Sequence, residues 1–267
     1  MYMANQPKRP LVLQVQQTLS LSPSMQRLTL AGPELADFPE VAPGAYVKLM
    51  FTFDNQPVTW IPESLQEVQL RTYTVRFVDQ AQRTLTIDMA LHGADATAGP
   101  ASHWAPQAKP GDKITVGGPG SVKGLPTGYD WLLMVGDITA LPAIASHLEQ
   151  LPATTQGYAV IKVPEDQDKI ELTKPPAMQV IWHVETAAVS TLSDTVSELT
   201  PAPGIVAAWA ACEFSDMRAL RTLFRQRWNI NHEYLYISSY WRKGRREDQH
   251  KVDKQRDQQE WESRQTA

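Results

Sequence analysis

The chain has 267 residues, long enough for two domains of roughly 100–150 residues that each bury a core. Hydrophobic residues make up 42% and charged residues 20%, which is typical of a globular protein, and the formal net charge of −4 gives no support to nucleic-acid or membrane binding. The single cysteine, Cys212, excludes an internal disulfide, a multi-cysteine zinc site and an iron–sulfur cluster held by the chain's own thiolates.

The first half of the chain reads as a series of short strands. Residues 1–10 are polar, and no later window approaches the length of a membrane span, so we expect no integral membrane segment and a cytoplasmic location. Alternating segments separated by turn residues then predict antiparallel strands in a β-barrel or sandwich. These strands are residues 11–19, 25–30, 46–53, 70–77, 84–91 and 113–116. We place this domain at residues 1–122.

The second half alternates strands with helices. Residues 131–135 form a continuous apolar strand, and a helix follows with Leu141, Ile144, Ala145, Leu148 and Leu151 on one face. Further strands are predicted at residues 157–163, 179–184, 205–210 and 234–238, with a helix at 217–227 capped by Ser215. This pattern predicts a parallel-sheet α/β domain over residues 123–243. The charged residues 244–267 predict a solvated helix or a loose tail.

The strand at residues 70–77 carries the first candidate site. Its alternation puts Arg71, Tyr73 and Val75 on one face and Thr72, Thr74 and Arg76 on the other, so a cation stands beside an aromatic ring. Later, Gly99 and Pro100 precede a short helical turn whose free N–H groups and Ser102 hydroxyl suit a phosphate. A ring platform and a phosphate cradle predict FAD. The alternative is a core Tyr73, a surface Arg71, a simple helix cap and a structural His92.

The second candidate site is the carboxyl edge of the predicted parallel sheet. Gly136 and Asp137 follow one apolar strand, and Cys212 and Glu213 follow another. Open α/β sheets bind ligands at this edge. The glycine spacing of a dinucleotide fingerprint is missing, so a nucleotide does not follow from spacing alone. The six histidines are scattered, and no His, Asp or Glu cluster has metal-ligand spacing, so we expect no metal site.

Five blocks of the sequence together resemble the siderophore-interacting protein family. They are residues 71–74, 92–93, 99–105, 136–144 and 240–244, in the family's order and spread over most of residues 10–245. The resemblance implies an FAD-dependent ferric-siderophore reductase related to the ferredoxin–NADP reductase superfamily. It also implies an N-terminal antiparallel FAD-binding barrel followed by an α/β domain of the NAD(P)-binding kind.

The resemblance implies roles for individual residues around FAD. Arg71 would pair with the diphosphate, Tyr73 would pack on the isoalloxazine ring, and Thr74 would hydrogen-bond near its reactive nitrogen. Tyr240 and Trp241 would return from the second domain to cover the flavin, although Tyr240 is equally suited to a core. The remaining implied FAD-binding positions are Thr72, Asp88, His92, Gly99, Pro100, Ala101, Ser102 and Trp104.

A nicotinamide nucleotide, NADPH or NADH, is implied at the second site. Its implied positions are Gly136, Asp137, Thr139, Ala140, Cys212 and Glu213. Cys212 stands where the family often has glycine, which adds a side chain where nicotinamide would approach. The alternative is a buried small apolar residue.

The implied substrate is a ferric siderophore, whose anionic oxygen ligands require positive charge. Lys48, Lys123 and Arg242 are the candidates, with solvated surface lysines as the alternative for the first two. Three functions stay open: a reductase using NAD(P)H, the same reductase using a ferredoxin-like protein donor, and a non-enzymatic flavin-bearing module that binds or delivers siderophores.

Overall fold

The computed structural model describes residues 9–92, 99–121, 124–185, 190–201 and 203–265. The chain divides into two compact units. The first contains the described part of Met1–Gly124 together with Pro142–Gln150 and Pro164–Thr173. The second contains the described parts of Leu125–Leu141, Leu151–Val163 and Lys174–Ala267.

The first unit is built on a closed barrel of six antiparallel strands, and this confirms the predicted barrel. The strands are β1 (Leu11–Ser22), β2 (Met25–Ala31), β3 (Tyr46–Phe51), β4 (Gln69–Asp79), β5 (Thr84–Ala90) and β6 (Lys113–Gly120). They pair around the barrel in the order β1-β2-β5-β4-β3-β6. A short helix, α1 (Pro100–Trp104), lies between β5 and β6 in the sequence.

Cross-strand apolar pairs fill the barrel. Leu28 on β2 faces Ile87 on β5, and Leu30 faces Leu85, all four fully buried. Such directly opposed pairs stabilise a sheet, because their Cβ atoms lie about 5 Å apart. The same period of two that predicts these strands from sequence therefore selects the residues that form the core.

The second unit contains a five-stranded parallel sheet, as predicted, in the order β11-β10-β7-β8-β9. Its strands are β7 (Trp131–Asp137), β8 (Gly157–Val163), β9 (Met178–Val184), β10 (Val206–Glu213) and β11 (Leu235–Trp241). This unit also contains the helices α3 (Leu192–Ser197), α4 (Phe214–Thr222) and α5 (Glu247–Gln265), whereas α2 (Leu141–Leu148) belongs to the first unit from Pro142 onward. Every residue of β7 is buried, as expected of a strand covered on both faces. No helix in the described ranges is long and apolar enough to cross a membrane.

Helix α4 begins earlier than its sequence pattern indicates. The predicted cap, Ser215, lies inside the helix, and the N-cap is Glu213, whose carboxylate accepts a hydrogen bond from the Ser215 N–H at 2.5 Å. Serine is a common cap, but a carboxylate also suits the positive end of the helix dipole. After Thr222 the chain continues as one π-helical turn, Leu223–Arg227.

The charged C-terminal segment is a helix, and one of its stripes is buried. His250, Asp253 and Asp257 recur at helical spacing and are each less than a tenth exposed. Asp253 lies 2.6 Å from Arg242, and Asp257 lies 2.8 Å from Arg221. The expectation of a solvated surface therefore holds for the other faces of α5 but not for this stripe.

A buried ion cluster ties β2, β4 and β5 together in the first unit. Arg27 makes two hydrogen bonds to Asp88, at 2.6 and 2.7 Å, and Arg76 Nε lies 3.3 Å from the same carboxylate. Arg76 also pairs with Glu149, which follows α2, at 2.6 Å. The side chains of Asp88 and Arg76 are 5% and 4% exposed, so each charge depends on its partners.

Helix α2 buries a histidine that should make stability depend on pH. His147 is 4% exposed, and burial lowers its pKa to about 4 from the ordinary value of 6.5. The unfolded chain then binds a proton that the folded protein does not, so stability falls as pH drops below 6.5. We expect a loss of about 2 kcal/mol at pH 5 and about 3 kcal/mol near pH 4 from this residue.

Urea unfolding between pH 7.5 and pH 5 measures this loss. His147→Gln removes the titrating group, and we expect the variant to lose less stability than the wild type over that interval, by about 2 kcal/mol. Equal losses in the two proteins would contradict the assignment to His147.

Candidate functional site

The first unit brings Arg71 and Gly99 together. The Arg71 guanidinium donates to the Leu70 carbonyl at 2.8 Å and to the Gln69 side chain at 3.0 Å, which orients it at one end of β4. A Cβ placed on Gly99 would lie 4.0 Å from Arg71 Nε. The guanidinium therefore stands next to the start of α1, where the chain carries no side chain.

Helix α1 supplies backbone donors at the same place. Its first internal hydrogen bond runs from the His103 N–H to the Gly99 carbonyl at 3.0 Å, and helix geometry leaves the N–H groups of Ala101 and Ser102 without intrahelical acceptors. Pro100 occupies the first position, where no N–H is needed. The Ser102 hydroxyl accepts from the His92 N–H at 3.4 Å, so these two predicted residues meet.

The predicted FAD-binding residues of β4 lie on both faces of the strand. Tyr73 is paired with Val47 and Arg71 with Leu49, so both share the face that turns toward the barrel core. Tyr73 packs partly on that core, as the alternative interpretation held, and stays partly exposed. Thr74 lies on the other face and is largely buried.

The Thr72–Thr74 face continues onto the neighbouring strands. Lys48 on β3 lies between Thr72 on β4 and Gly117 on β6 and is half-buried. The Tyr46 ring covers Gly120, where a Cβ would lie 2.1 Å from the ring. Among the predicted siderophore-binding lysines, Lys123 lies outside the described residues, as does Gly93 of the family motif.

The side chains of two predicted FAD-binding residues make their contacts within the barrel. Trp104 is buried in the barrel core, with its ring edge-on to Phe51 at 6.1 Å. Asp88 has both carboxylate oxygens in contact with Arg27 and Arg76. Trp104 therefore contributes to the packing of the barrel, and Asp88 contributes to its ion pairs.

In the second unit, Asp137 joins the ends of three adjacent strands. One of its oxygens accepts from the Thr139 N–H at 2.9 Å and the Thr139 hydroxyl at 2.5 Å. The other accepts from the Glu213 N–H at 2.8 Å and from Trp241 Nε1 at 2.8 Å. Asp137 is 3% exposed, and burial raises its pKa while these hydrogen bonds act to lower it.

The other predicted residues of this edge are mostly buried. Gly136 lies inside β7, the Ala140 N–H donates to the Asp137 carbonyl at 2.9 Å, and Glu213 accepts from the Lys243 N–H at 3.1 Å. Cys212 is fully buried, and burial raises the pKa of its thiol well above the usual value. The thiol therefore stays protonated and behaves as a small apolar side chain.

Tyr240 near the end of β11 and Arg242 just after that strand complete this region. Tyr240 stands edge-on to Trp209 at 6.5 Å, and burial raises the pKa of its hydroxyl. Arg242 stacks on the Phe214 ring at 4.5 Å while its guanidinium pairs with Asp253 at 2.6 Å. It is about one-third exposed, so it keeps a solvent-facing side.

The first-unit cradle fits the diphosphate of a flavin dinucleotide. Arg71 offers a guanidinium of the kind that binds phosphate oxygens in pairs, and α1 offers backbone donors beside it. The missing side chain at Gly99 leaves the space between them open. Tyr73, on the same face as Arg71, adds an aromatic ring suited to stacking.

The sequence does not predict the residues that orient the candidate site residues through hydrogen bonds and ion pairs. Gln69 anchors Arg71 and itself donates to the Thr52 carbonyl at 2.8 Å. Asp253 holds Arg242 from α5. The spacing of three and four between the buried residues of α5 could have revealed that face, but its members are polar, so hydrophobic periodicity does not detect it.

The described residues contain no group of three or more His, Cys, Asp or Glu side chains that could hold a metal ion.

Comparison with known proteins matches both units. The family model of the siderophore-interacting FAD-binding domain matches residues 14–123, and that of the siderophore-interacting protein matches residues 129–244. The ferric vibriobactin reductase ViuB of Vibrio cholerae is 28% identical over 260 residues, covering 92% of this chain and 95% of its own length.

Solved structures match the fold. The siderophore-interacting protein SipS of Aeromonas hydrophila aligns with a TM-score of 0.82 and 30% identity, over 94% of this chain and 98% of that one. The ferredoxin–NADP+ reductase of Plasmodium falciparum aligns with a TM-score of 0.64 and 11% identity, over 86% of this chain and 96% of that one, and shares the fold alone.

Proposed function

Since this chain belongs to the siderophore-interacting protein family, as its sequence motifs predict, we propose that it releases iron as Fe(II) from ferric siderophores with the aid of bound FAD. The observation that carries the proposal is the Arg71 guanidinium beside Gly99 and the first turn of α1, within a barrel that matches an FAD-binding domain. The chain is a flavin oxidoreductase, and the name of the Vibrio relative supports reduction over a non-enzymatic delivery role.

The chain's own residues would bind and orient the cofactor. Arg71 and the free N–H groups of α1 would neutralise the diphosphate, and Ser102 would add a hydroxyl. Tyr73 would stack on the ring system, and Thr74 would donate near its reactive edge. When bound, FAD would supply the redox chemistry, namely two-electron uptake and one-electron transfer to Fe(III), while these residues hold it in place.

The substrate would be recognised by charge. Lys48, Arg242 and Lys123 carry positive charges suited to the anionic oxygens around the iron, and Asp253 keeps the Arg242 guanidinium in one orientation. Reduction to Fe(II) lowers the charge on the ion and weakens its attraction to those oxygens, so the iron can leave. No acid, base or nucleophile on the protein is needed for this reaction.

For the electron donor we propose NADPH or NADH, with a ferredoxin-like protein as the second candidate. The superfamily fold supports a nucleotide at the carboxyl edge of the parallel sheet, near Gly136, Thr139 and Ala140. Two observations at the same edge support the ferredoxin-like donor. The Asp137 oxygens already accept hydrogen bonds from protein donors. Cys212 is fully buried where the family often has glycine.

Anaerobic stopped-flow absorbance of the FAD-loaded protein tests the function and the donor. The protein is mixed with NADPH, NADH or reduced ferredoxin, and then with ferric citrate, ferrioxamine B or a ferric tris-catecholate in the presence of a ferrous-ion trap. We expect rapid bleaching by at least one donor, followed by flavin reoxidation with trapped Fe(II). If the reduced flavin persists beside each of the three intact ferric chelates, the proposed reaction is wrong.

A further inference from the structure

The second unit contains a cavity of about 390 Å³ between α4 and α5. One stripe of each helix lines it. On α4 the stripe includes Ser215, Arg218 and Thr222, and on α5 it includes Asp257 and Trp261, all at the spacing of three or four residues that one helix face requires. Small-molecule sites in proteins begin at about 300 Å³, so the cavity is large enough for a compact ligand.

Three arginines line this cavity, Arg218 and Arg221 from α4 and Arg242 from the turn after β11. Each of them is fixed by a carboxylate of α5, at distances of 3.2, 2.8 and 2.6 Å respectively. A guanidinium has five N–H donors, and one carboxylate contact leaves several of them available. Arg218 and Arg242 are 52% and 34% exposed, so a ligand can reach their remaining donors from solvent.

The carboxylates around these arginines do not balance their charge. Asp257 pairs with both arginines of α4, and Asp253 pairs with Arg242 and Arg245. Glu260 also lines the cavity and is exposed to solvent. The lining thus carries three arginines against the two carboxylates of Asp257 and Glu260. Such an excess of positive charge in a concave site attracts anions.

Arg221 has a buried donor that lacks an acceptor. Its side chain is 7% exposed, and its Nε has no hydrogen-bond partner among the residues that the structure describes. Leaving the N–H of a buried charged group unsatisfied is costly. Because Arg221 lines the cavity, a negatively charged oxygen bound there would supply the acceptor after a small turn of the guanidinium.

Two aromatic rings restrict the guanidinium groups. Arg221 lies over the Trp261 ring at 4.3 Å, and Arg242 lies over the Phe214 ring at 4.5 Å. Stacking leaves the donor edges of a guanidinium free and reduces the number of orientations that it adopts. A guanidinium held in this way loses less entropy when it binds a carboxylate or phosphate in the paired geometry.

We propose that this cavity binds a small oxyanion with at least two negative charges, a polycarboxylate or a phosphate. Arg218 and Arg242 would donate to its oxygens, and Ser215 would add a hydroxyl. The bound anion would reduce the repulsion among the arginines between the two helices, so α5 would separate from α4 less often. The site involves neither FAD nor iron and shares Arg242 with the proposed recognition of siderophores.

The test measures the binding of iron-free citrate, inorganic phosphate and pyrophosphate to the full-length protein, by isothermal titration calorimetry at constant ionic strength. Arg218→Ala removes the most exposed of the three guanidiniums, while Arg221 continues to pair with Asp257. Arg227→Ala is the matched control, because Arg227 is an exposed arginine of the π-helical turn that follows α4, outside the cavity lining. Tighter binding of citrate would identify a polycarboxylate site, and tighter binding of phosphate or pyrophosphate would identify a phosphate site.

We expect saturable binding of at least one of these anions with a dissociation constant of about 0.1 mM. Arg218→Ala should weaken it about tenfold, through the loss of a charge-assisted hydrogen bond, and Arg227→Ala less than about twofold. Amide hydrogen exchange in residues 253–262 should slow when the anion is bound. Lack of saturable binding by all three anions, or equal weakening in the two variants, would overturn the proposal.

A second variant covers the case in which Arg218→Ala does not fold. Ala219→Glu keeps all three arginines and adds a carboxylate to the lining, at an exposed helical position where both residues favour a helix. The added carboxylate would compete with the ligand, so we expect binding to weaken more than about tenfold. Wild-type affinity in this variant would refute the site. None of these readouts requires iron reduction, so a protein that binds the anion but leaves ferric chelates intact would contradict the proposed function alone.

Discussion

Arg71→Ala is expected to lower the affinity for FAD at least ~100-fold, so that the protein loses its yellow colour during gel filtration. Arginine would make two charge-assisted hydrogen bonds to the diphosphate, each contributing about 1.5–3 kcal/mol, and ~100-fold corresponds to about 2.7 kcal/mol. The loss is specific to cofactor binding because Arg71 is only half-buried and its internal partners are neutral.

The measurement is a titration of the flavin-free, full-length protein with FAD, followed by flavin fluorescence. Arg71→Lys keeps the charge but loses the paired geometry, and it should bind with intermediate affinity. Arg225→Ala is a matched control, since Arg225 donates to the Ile230 carbonyl in the second unit. Wild-type FAD affinity in Arg71→Ala would remove Arg71 from the cofactor site.

Asp88→Ala is expected to destabilise the first unit by about 3 kcal/mol. The change leaves Arg27 and Arg76 without their shared carboxylate, and removing one partner of a buried ion pair costs about 3–5 kcal/mol. Glu149 remains paired with Arg76, so we expect a loss of unfolding free energy at the lower end of that range. Urea unfolding measures it.

The same variant separates two roles for Asp88. If Asp88 serves the barrel alone, the folded variant at low temperature should bind FAD with nearly wild-type affinity. A large loss of affinity in the folded protein would instead support the contact with the cofactor that the resemblance implies. Asp166→Ala is a control for a surface ion pair, because Asp166 is 77% exposed beside Lys169, and its effect should stay within about 0.5 kcal/mol.

The two architectures follow from the sequence because their signals are local. Alternating apolar residues on β2 and β5 pair directly in the barrel, and the apolar run of β7 lies at the centre of the parallel sheet. Most strands extend a few residues beyond their predicted ends, since hydrogen bonding continues past the last apolar side chain. The strands β3 and β5 instead end earlier than predicted, at Phe51 and Ala90. The sequence pattern does not identify Glu213 as the N-cap of α4, because serine is a common cap and Ser215 is only two residues away.

Only some residues of the candidate site can be predicted from the sequence, because contacts between distant polar residues leave no local signal. The motif residues Arg71, Ser102 and His92 can be proposed from their chemistry, and Ser102 and His92 do meet. Gln69 is close in sequence to the Arg71 that it orients, but the other residues that hold the predicted ones lie far away in sequence. Asp253 reaches Arg242 from α5, and Asp88 reaches Arg27 from another strand. Polar contacts of this kind have no periodic signature, so a single sequence does not reveal the partners.

The make-up of the first unit has a consequence for synthesis on the ribosome. Asp168 accepts hydrogen bonds from the Ser22 hydroxyl at 2.7 Å and the Ser24 N–H at 2.8 Å, and Arg76 donates to Ser146 at 2.7 Å. A nascent chain emerges in order, at about 5–20 residues per second, so the barrel strands leave the exit tunnel before these partners exist. We therefore expect the barrel to gain its full resistance to proteolysis only after residue 173 has emerged, several seconds behind its last strand.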